Sequence, residues 1–221
     1  MTSTVLSLRR ALPDARQPVA PDFARLLGPA AWQRLTPAIR RRFTQKPGRD
    51  TPIRYHGVMQ QVRCSTTGWL LAQACRLFGT PFALHRGANV PVTITLHQVD
   101  DGAAIGWERT YHYPDHSTAI VCSEKRVAAD GTLIERVGAG FAMKLVLFEE
   151  HGALNFRSCG YLWQLGPFRL LLPDFLSPGA AHVIHQDLGA GRFRFVMTIR
   201  HKLFGTLFHQ DGVFREEGPT P

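Results

Sequence analysis

Between residues 90 and 214, apolar residues recur at every second position in one short run after another, the period of half-buried β-strands. The pattern is clearest over 141–163. Phe141, Met143, Leu145 and Leu147 alternate there with Ala142, Lys144, Val146 and Phe148. His151-Gly152 can close the run with a two-residue turn in which Gly152 takes a positive φ. That register sets Glu150 opposite Ala153, Leu147 opposite Phe156, Leu145 opposite Ser158 and Phe141 opposite Leu162. Both apolar rows then share one face, and a one-residue slip would turn one of them to water. The same logic pairs 92–99 with 103–113 about Asp101-Gly102 and 119–127 with 132–137 about Asp130-Gly131. It also pairs 182–188 with 193–199 about Ala190-Gly191, and leaves a last strand over 206–214. Nine or ten antiparallel strands in succession predict an α+β fold that is mostly β. The expected form is a curved antiparallel sheet or barrel of hairpins, with N-terminal helices packed on it or plugging one end.

The first 80 residues read differently. Residues 1–20 form a flexible basic lead. Asp22 can cap a short helix through Leu27, which Gly28-Pro29 ends. Trp32, Leu35 and Ile39 follow at helical spacing, with Pro37 placing a break or a new first turn. Residues 53–64 alternate weakly, as a first strand or an edge. Ser65-Thr66-Thr67 offers caps for a helix over 69–78, with Gly79 and Pro81 as its stop. The expected organisation is a tail over 1–20 and one domain over 21–217, helical to residue 80 and antiparallel β from 81. One segment breaks the alternation. Residues 164–176 (QLGPFRLLLPDFL) are apolar with two prolines, and fit a short helix over the sheet mouth, a lid or a surface-seeking loop. A buried connector is the default for an apolar loop.

Composition adds limits. At 221 residues and 44% hydrophobic, the chain is long enough to bury a sizeable core. No run approaches the length of a transmembrane helix, and the opening MTSTVLSLRR lacks a secretory apolar core. Its Arg/Ser/Thr bias also suits a mitochondrial presequence, but a disordered tail is the simpler reading. Cys64, Cys75, Cys122 and Cys159 are scattered without a CxxC pair, which fits buried thiols in a reducing cytoplasm. The net charge of +9 is unevenly spread. Residues 1–49 hold ten Lys/Arg against two Asp, giving +8, and residues 50–221 hold sixteen against fifteen, giving +1. The basic run Arg40-Arg41-Arg42 is therefore a local patch that can meet an anionic surface, and sequence-specific nucleic-acid binding is not expected.

No stretch carries a specific catalytic signature. There is no GxSxG elbow, no GxGxxG opening a helix, and Gly138-Ala-Gly140 reads as a bend between strands. No cofactor is expected. His182 and His185 would point to opposite faces of a strand, and His112, Asp115 and His116 in a turn lack a fourth zinc partner, so no metal is expected. Glu108, Glu124 and Glu135 could make an acid/base pair with a histidine only if the fold brought them together. The more informative cluster is Trp107, Arg109 and Tyr111 on one strand face. A two-residue turn at Asp101-Gly102 puts that face with Ile94 and Leu96, inward, whereas a three-residue loop sets Arg109 against Thr93 and Thr95. Glu135 lies opposite Arg126 with a two-residue turn at Asp130-Gly131, and opposite Lys125 with a three-residue loop. It is the candidate partner of an inward Arg109. The face of Phe193, Phe195, Met197 and Ile199 is expected to include His182 and Gln186. A few polar groups on an apolar concave face describe a ligand cavity, and equally a core with satisfied polar residues.

The order of several motifs is similar to the domain-of-unknown-function family DUF4166. They are Leu35-Thr-Pro-Ala-Ile-Arg40, Leu77-Phe-Gly-Thr-Pro81, Trp107-x-Arg109-x-Tyr111, Glu135, Leu165-Gly-Pro-Phe-Arg-Leu-Leu-Leu-Pro173 and Gly191-Arg-Phe-Arg-Phe195. The resemblance spans 22–214 and implies one domain. Members often follow a saccharopine-dehydrogenase-like domain, which makes an oxidoreductase a candidate partner. It carries no catalytic residues over. The reading reached is a non-catalytic binder of a lipid-like or apolar small molecule in a concave β face, around Trp107, Arg109, Tyr111, Glu135, His182 and Gln186. The alternative is an interaction module that docks on an oxidoreductase or self-associates through 164–176.

Overall fold

Two-residue turns and period-two burial set the register, and the register closes the sheet. The structure is a computed structural model that describes residues 19–76, 85–138, 140–165, 168–173 and 177–217. Its strands are β1 (Ile53–Cys64), β2 (Gly87–Val99), β3 (Ala104–Tyr111), β4 (Ala119–Val127), β5 (Leu133–Gly138) and β6 (Phe141–Glu150). They continue as β7 (Ala153–Leu165), β8 (Phe168–Leu172), β9 (Ala180–Gly189), β10 (Arg192–His201) and β11 (Gly205–Glu216). The order β6-β5-β4-β3-β2-β1-β11-β10-β9-β7, with β7 pairing back on β6, is a closed ten-stranded antiparallel barrel. Closure removes the open edges of a sheet. Strand β8 lies outside the ring. It pairs only with residues 161–165 of β7, where β9 has left that edge after Arg157.

The turns explain the pairing. His151 and Gly152 have φ of 50° and 77°, and Asp101 and Gly102 have φ of 51° and 92°, the left-handed pairs that a type I′ hairpin requires. Glu150 therefore meets Ala153, Leu147 meets Phe156 and Leu145 meets Ser158. The register then shifts by one, because Cys159 is an extra residue in β7, and Phe141 meets Trp163 rather than Leu162. Those two rings stack with centroids 5.3 Å apart. A second irregularity sits at Leu188. It leaves Arg192 opposite Gly189 but moves Phe193 onto Asp187 and Phe195 onto His185.

Antiparallel order places alternate connections at opposite ends. The four Gly-containing turns, at 101–102, 129–131, 151–152 and 190–191, share one end with three short helices. These are α1 (Phe23–Leu27), α2 (Pro29–Arg34) and α3 (Pro37–Thr44). Asp22 caps α1 by accepting from the Arg25 N–H, and Thr36 caps α3 by accepting from the Ile39 N–H. Pro29 and Pro37 occupy first-turn positions, where the missing N–H costs nothing. Phe23, Leu35, Ile39 and Phe43 enter the barrel mouth, and the Phe23, Phe43 and Phe156 rings meet within 5.9 Å of one another. Each such side chain contributes about 1.5–3 kcal/mol of burial, so the helices act as a plug. The other end carries α4 (Thr66–Arg76), whose Ser65 cap accepts from the Gly68 N–H. The proposed stop at Gly79 and Pro81 lies outside the described residues.

Two expectations change. Residues 53–64 take the first of their two expected forms, a first strand, and lie inside the sheet between β2 and β11 rather than at an edge, so the first 80 residues are not all helical. The 164–176 segment is neither helix nor buried connector where it is described. Its 168–172 part is strand β8, and Leu170 and Leu171 are 59% and 61% exposed. Residues 166–167 and 174–176 lie outside the described set.

Candidate binding site

The inner wall of the barrel is apolar except for one charged cluster. Because the β2–β3 turn is Asp101-Gly102, Ile94 pairs with Arg109 and Leu96 with Trp107, and Trp107, Arg109 and Tyr111 all face inward and are buried. The β4–β5 loop has three residues, Ala129, Asp130 and Gly131, so Lys125, not Arg126, stands opposite Glu135. Lys125 Nζ lies 2.9 Å from Glu135 Oε1 and 4.5 Å from the Trp107 ring centroid. The Ser123 hydroxyl donates to the same Oε1 at 2.7 Å. Arg109 is a secondary partner: Nη2 is 3.9 Å from Oε1, and Nη1 donates to Ser123 Oγ at 3.4 Å. Farther along the wall, the Tyr111 hydroxyl donates to Gln210 Oε1 at 3.0 Å, and Gln210 is fully buried.

A further cation enters from the plug. Arg42 of α3 is buried, with its guanidinium over the Phe193 ring and 4.3 Å from the Tyr55 centroid. Among the described residues none of its three nitrogens makes a hydrogen bond of good geometry, although Tyr55 and Glu216 lie near enough to favour its charged form. Burial lowers its pKa to about 9, against the smaller opposing influence of Tyr55 and Glu216, so it stays charged at neutral pH. Glu216 at the rim is occupied by Gln45, whose Nε2 donates to it at 2.8 Å. Nearby, His185 sits among Phe43, Phe156 and Phe195. Burial first, then Arg42, Lys125 and Arg109, push its pKa well down, so it is neutral. His185 Nδ1, Trp107 Nε1 and Gln210 Nε2 also make no hydrogen bond among the described residues.

The electrostatic balance is lopsided. Among the described residues, three buried cations (Arg42, Arg109, Lys125) face the interior with one buried carboxylate, Glu135, while Glu216 stands half-buried at the rim opposite Tyr55 on the same face. Burial drives the Glu135 pKa up, but Lys125, Arg109 and the Ser123 hydrogen bond together hold it below its ordinary value. Burial lowers the Lys125 pKa more than Glu135 raises it. An aqueous charge moved into such a wall is tolerated only when paired. Glu135 pairs with Lys125, and Arg42 has Glu216 at the rim as its nearby carboxylate, with no ion pair between them among the described residues.

Four predicted residues, Trp107, Arg109, Tyr111 and Glu135, thus converge on the interior. His182 and Gln186 do not. The extra residue at Leu188 turns them outward: Gln186 pairs with Arg194 and is exposed, and His182 contacts Asn155 Oδ1 at 2.9 Å and stacks on Phe148. Five interior polar residues were missed: Arg42, Ser123, Lys125, His185 and Gln210. For Arg42 a signal existed, since it falls three positions after Ile39 on the stripe of Leu35 and Ile39. The basic run is split accordingly, Arg42 inward and Arg40 hydrogen-bonded to Gln33. His112, Asp115 and His116 are exposed, His116 stacks on His85 at 4.2 Å, and no metal-binding trio exists among the described residues. Glu124 pairs with Arg126 and Arg136 on the outer face, so it does not meet Glu135.

Fold and site together define a closed antiparallel β-barrel domain with a buried, cation-rich interior. The family model described as "Domain of unknown function (DUF4166)" matches residues 35–214, and the chain belongs to that family. No curated protein and no solved structure matches it. No helix of the described residues is long and apolar enough to cross a membrane.

Proposed function

We propose that this domain is a non-catalytic binding module whose barrel holds an amphipathic small molecule, with an apolar tail along the aromatic wall and a carboxylate or phosphate head at Arg42. The observation that carries this reading is Arg42 itself: a buried guanidinium whose nitrogens make no hydrogen bond of good geometry among the described residues. The two rings compensate its charge in part, as do Tyr55 and Glu216 nearby, but no N–H makes a hydrogen bond of good geometry among the described residues, and unsatisfied buried donors are rare. A guanidinium fork matches carboxylate and phosphate geometry. Barrels of about eight or more strands have interiors that either fill with side chains or hold a small ligand. Native mass spectrometry of protein purified without detergent tests the reading. An adduct, or uptake from a panel of fatty acids and isoprenoid phosphates, is expected. A clean apo mass with no uptake overturns it.

A second reading, an interaction module that docks on an oxidoreductase or on a second copy, is favoured by β8. Its outer edge is unpaired among the described residues, and Leu170 and Leu171 project to opposite faces, both exposed. Such an edge can accept another strand. Light scattering on the purified chain separates the two: a dimer abolished by Leu170→Lys/Leu171→Lys supports the second.

A further inference from the structure

We infer that the barrel's ligand carries a second oxygen, a hydrogen-bond acceptor partway along its apolar tail, and that Gln210 receives it. The inference rests on the amphiphile reading above and narrows the ligand to a long-chain acid with a mid-chain carbonyl.

The interior is short of acceptors rather than donors. Among the described residues, its buried side-chain atoms without a hydrogen bond of good geometry are Arg42 Nε, Nη1 and Nη2, Trp107 Nε1, His185 Nδ1 and Gln210 Nε2. The histidine nitrogen can donate or accept according to tautomer. Each of the others is an obligate N–H donor, and no oxygen stands among them. Gln210 is 0% exposed, and its Oε1 already accepts from the Tyr111 hydroxyl at 3.0 Å. That contact orients the amide and leaves Nε2 over. Buried donors of this kind are seldom left unpaired.

The strand register gives the spacing between head and second contact. Arg42 lies over the Phe193 ring, and Phe193 is the cross-strand partner of Phe214 on β11. Gln210 is four residues from Phe214 on that strand and shares its buried face. Four residues of strand span about 13 Å, and the tilt of barrel strands reduces this to about 10 Å along the axis. Carbon–carbon bonds of about 1.5 Å at tetrahedral angles advance about 1.3 Å each, so the span corresponds to about eight to ten carbons. Between the two positions on the same face lies Gly212, opposite Met59, whose sulfur packs where a Cβ on Gly212 would stand. An unbranched thioether can rearrange around a tail. A ketone suits Nε2 better than a hydroxyl, because it accepts without bringing another donor into a wall that already has too many.

Calorimetric titration of the full chain with octadecanoic acid and its 10-oxo, 3-oxo and 10-hydroxy derivatives tests the inference. Wild type should bind the 10-oxo acid about 3–10-fold more tightly than the unsubstituted acid. The 3-oxo acid should gain nothing, and the 10-hydroxy acid should bind less tightly than the 10-oxo acid. Gln210→Met should erase the 10-oxo preference, whereas Arg42→Met should weaken every acid and keep the ratio. The isomer comparison is made in wild type, so it decides the question even if Gln210→Met does not fold. Equal affinities for the 10-oxo and unsubstituted acids, as expected if a buried water satisfies Nε2, overturn this inference and leave the Arg42 reading standing. So does tighter binding of the 3-oxo or the 10-hydroxy acid, or a 10-oxo preference that survives Gln210→Met. No binding of any acid overturns both.

Discussion

Glu135→Gln removes the one carboxylate buried in the inner wall among the described residues. Lys125, 2.9 Å away, loses its anion, and so does Arg109 at 3.9 Å. Both partners of the Lys125–Glu135 pair are less than a tenth exposed, so water cannot readily take over. Breaking a buried pair from one side costs about 3–5 kcal/mol. In a domain of this size that lowers the thermal midpoint by about 6–20 °C. Adding Lys125→Met should recover most of the loss, because the Gln can still accept from Ser123 and one stranded charge is gone. The sign with pH follows from the depressed carboxyl. Its contribution is full above the unfolded value, about 4.3, and is lost as pH falls through the lower folded value. The gap between wild type and Glu135→Gln is therefore full at neutral pH and closes in acid. Urea unfolding followed by tryptophan fluorescence, at neutral pH and in mild acid, measures it. A neutral-pH loss under about 1 kcal/mol, or a gap that persists unchanged in acid, would refute the buried pair.

Three further outcomes follow from the same interior and its frame. Arg42→Met removes a buried charge that makes no hydrogen bond of good geometry among the described residues, so the unfolding free energy should hold or rise by about 1–3 kcal/mol; a marked loss in a denaturant titration would mean that the rings, Tyr55 and Glu216 suffice to hold the guanidinium. His185 is buried and kept neutral, with its folded pKa well below 6.5, so stability should fall as pH drops from about 6.5, at up to about 1.4 kcal/mol per unit, and His185→Phe should flatten that limb of the midpoint-against-pH curve. Gly140 has φ of +81°, and a Cβ there would stand 2.0 Å from the Gln164 carbonyl oxygen, so Gly140→Ala should destabilise by about 2 kcal/mol or more in calorimetry.

Much of the frame was legible because particular turns admit few readings. Asp101-Gly102 and His151-Gly152 supply adjacent positive-φ positions, and alternation then carries the register along β2–β3 and β6–β7. That is enough to place Trp107, Arg109 and Tyr111 inside. Single-residue insertions leave no trace in a period-two pattern. The extra residue at Leu188 exchanges Gln186 for His185 on the inner wall, and Cys159 slides Phe141 to Trp163. For Glu135, two loop lengths fitted equally, and only the fold selects Lys125. Arg42 was hidden by its neighbours, since a run of three arginines resembles a solvated helix face. Strand β8 escaped notice because a strand exposed on both faces has no reason to alternate. Closure itself depends on β7 pairing with β6 on one edge and with β9 on the other, a tertiary event that no local pattern encodes.

The central claim is that Arg42 receives an anionic head inside the barrel, and it is tested most directly by a pair of ligands that differ only there. A long-chain fatty acid and the alcohol of the same chain length are titrated into wild-type protein and Arg42→Met by calorimetry. A hydrogen bond to a charged group contributes about 1.5–3 kcal/mol, so wild type should prefer the acid by about 10–150-fold. Arg42→Met should lose that preference while keeping its affinity for the alcohol. Equal affinities in wild type, binding of neither ligand, or a preference unchanged in Arg42→Met would contradict the account.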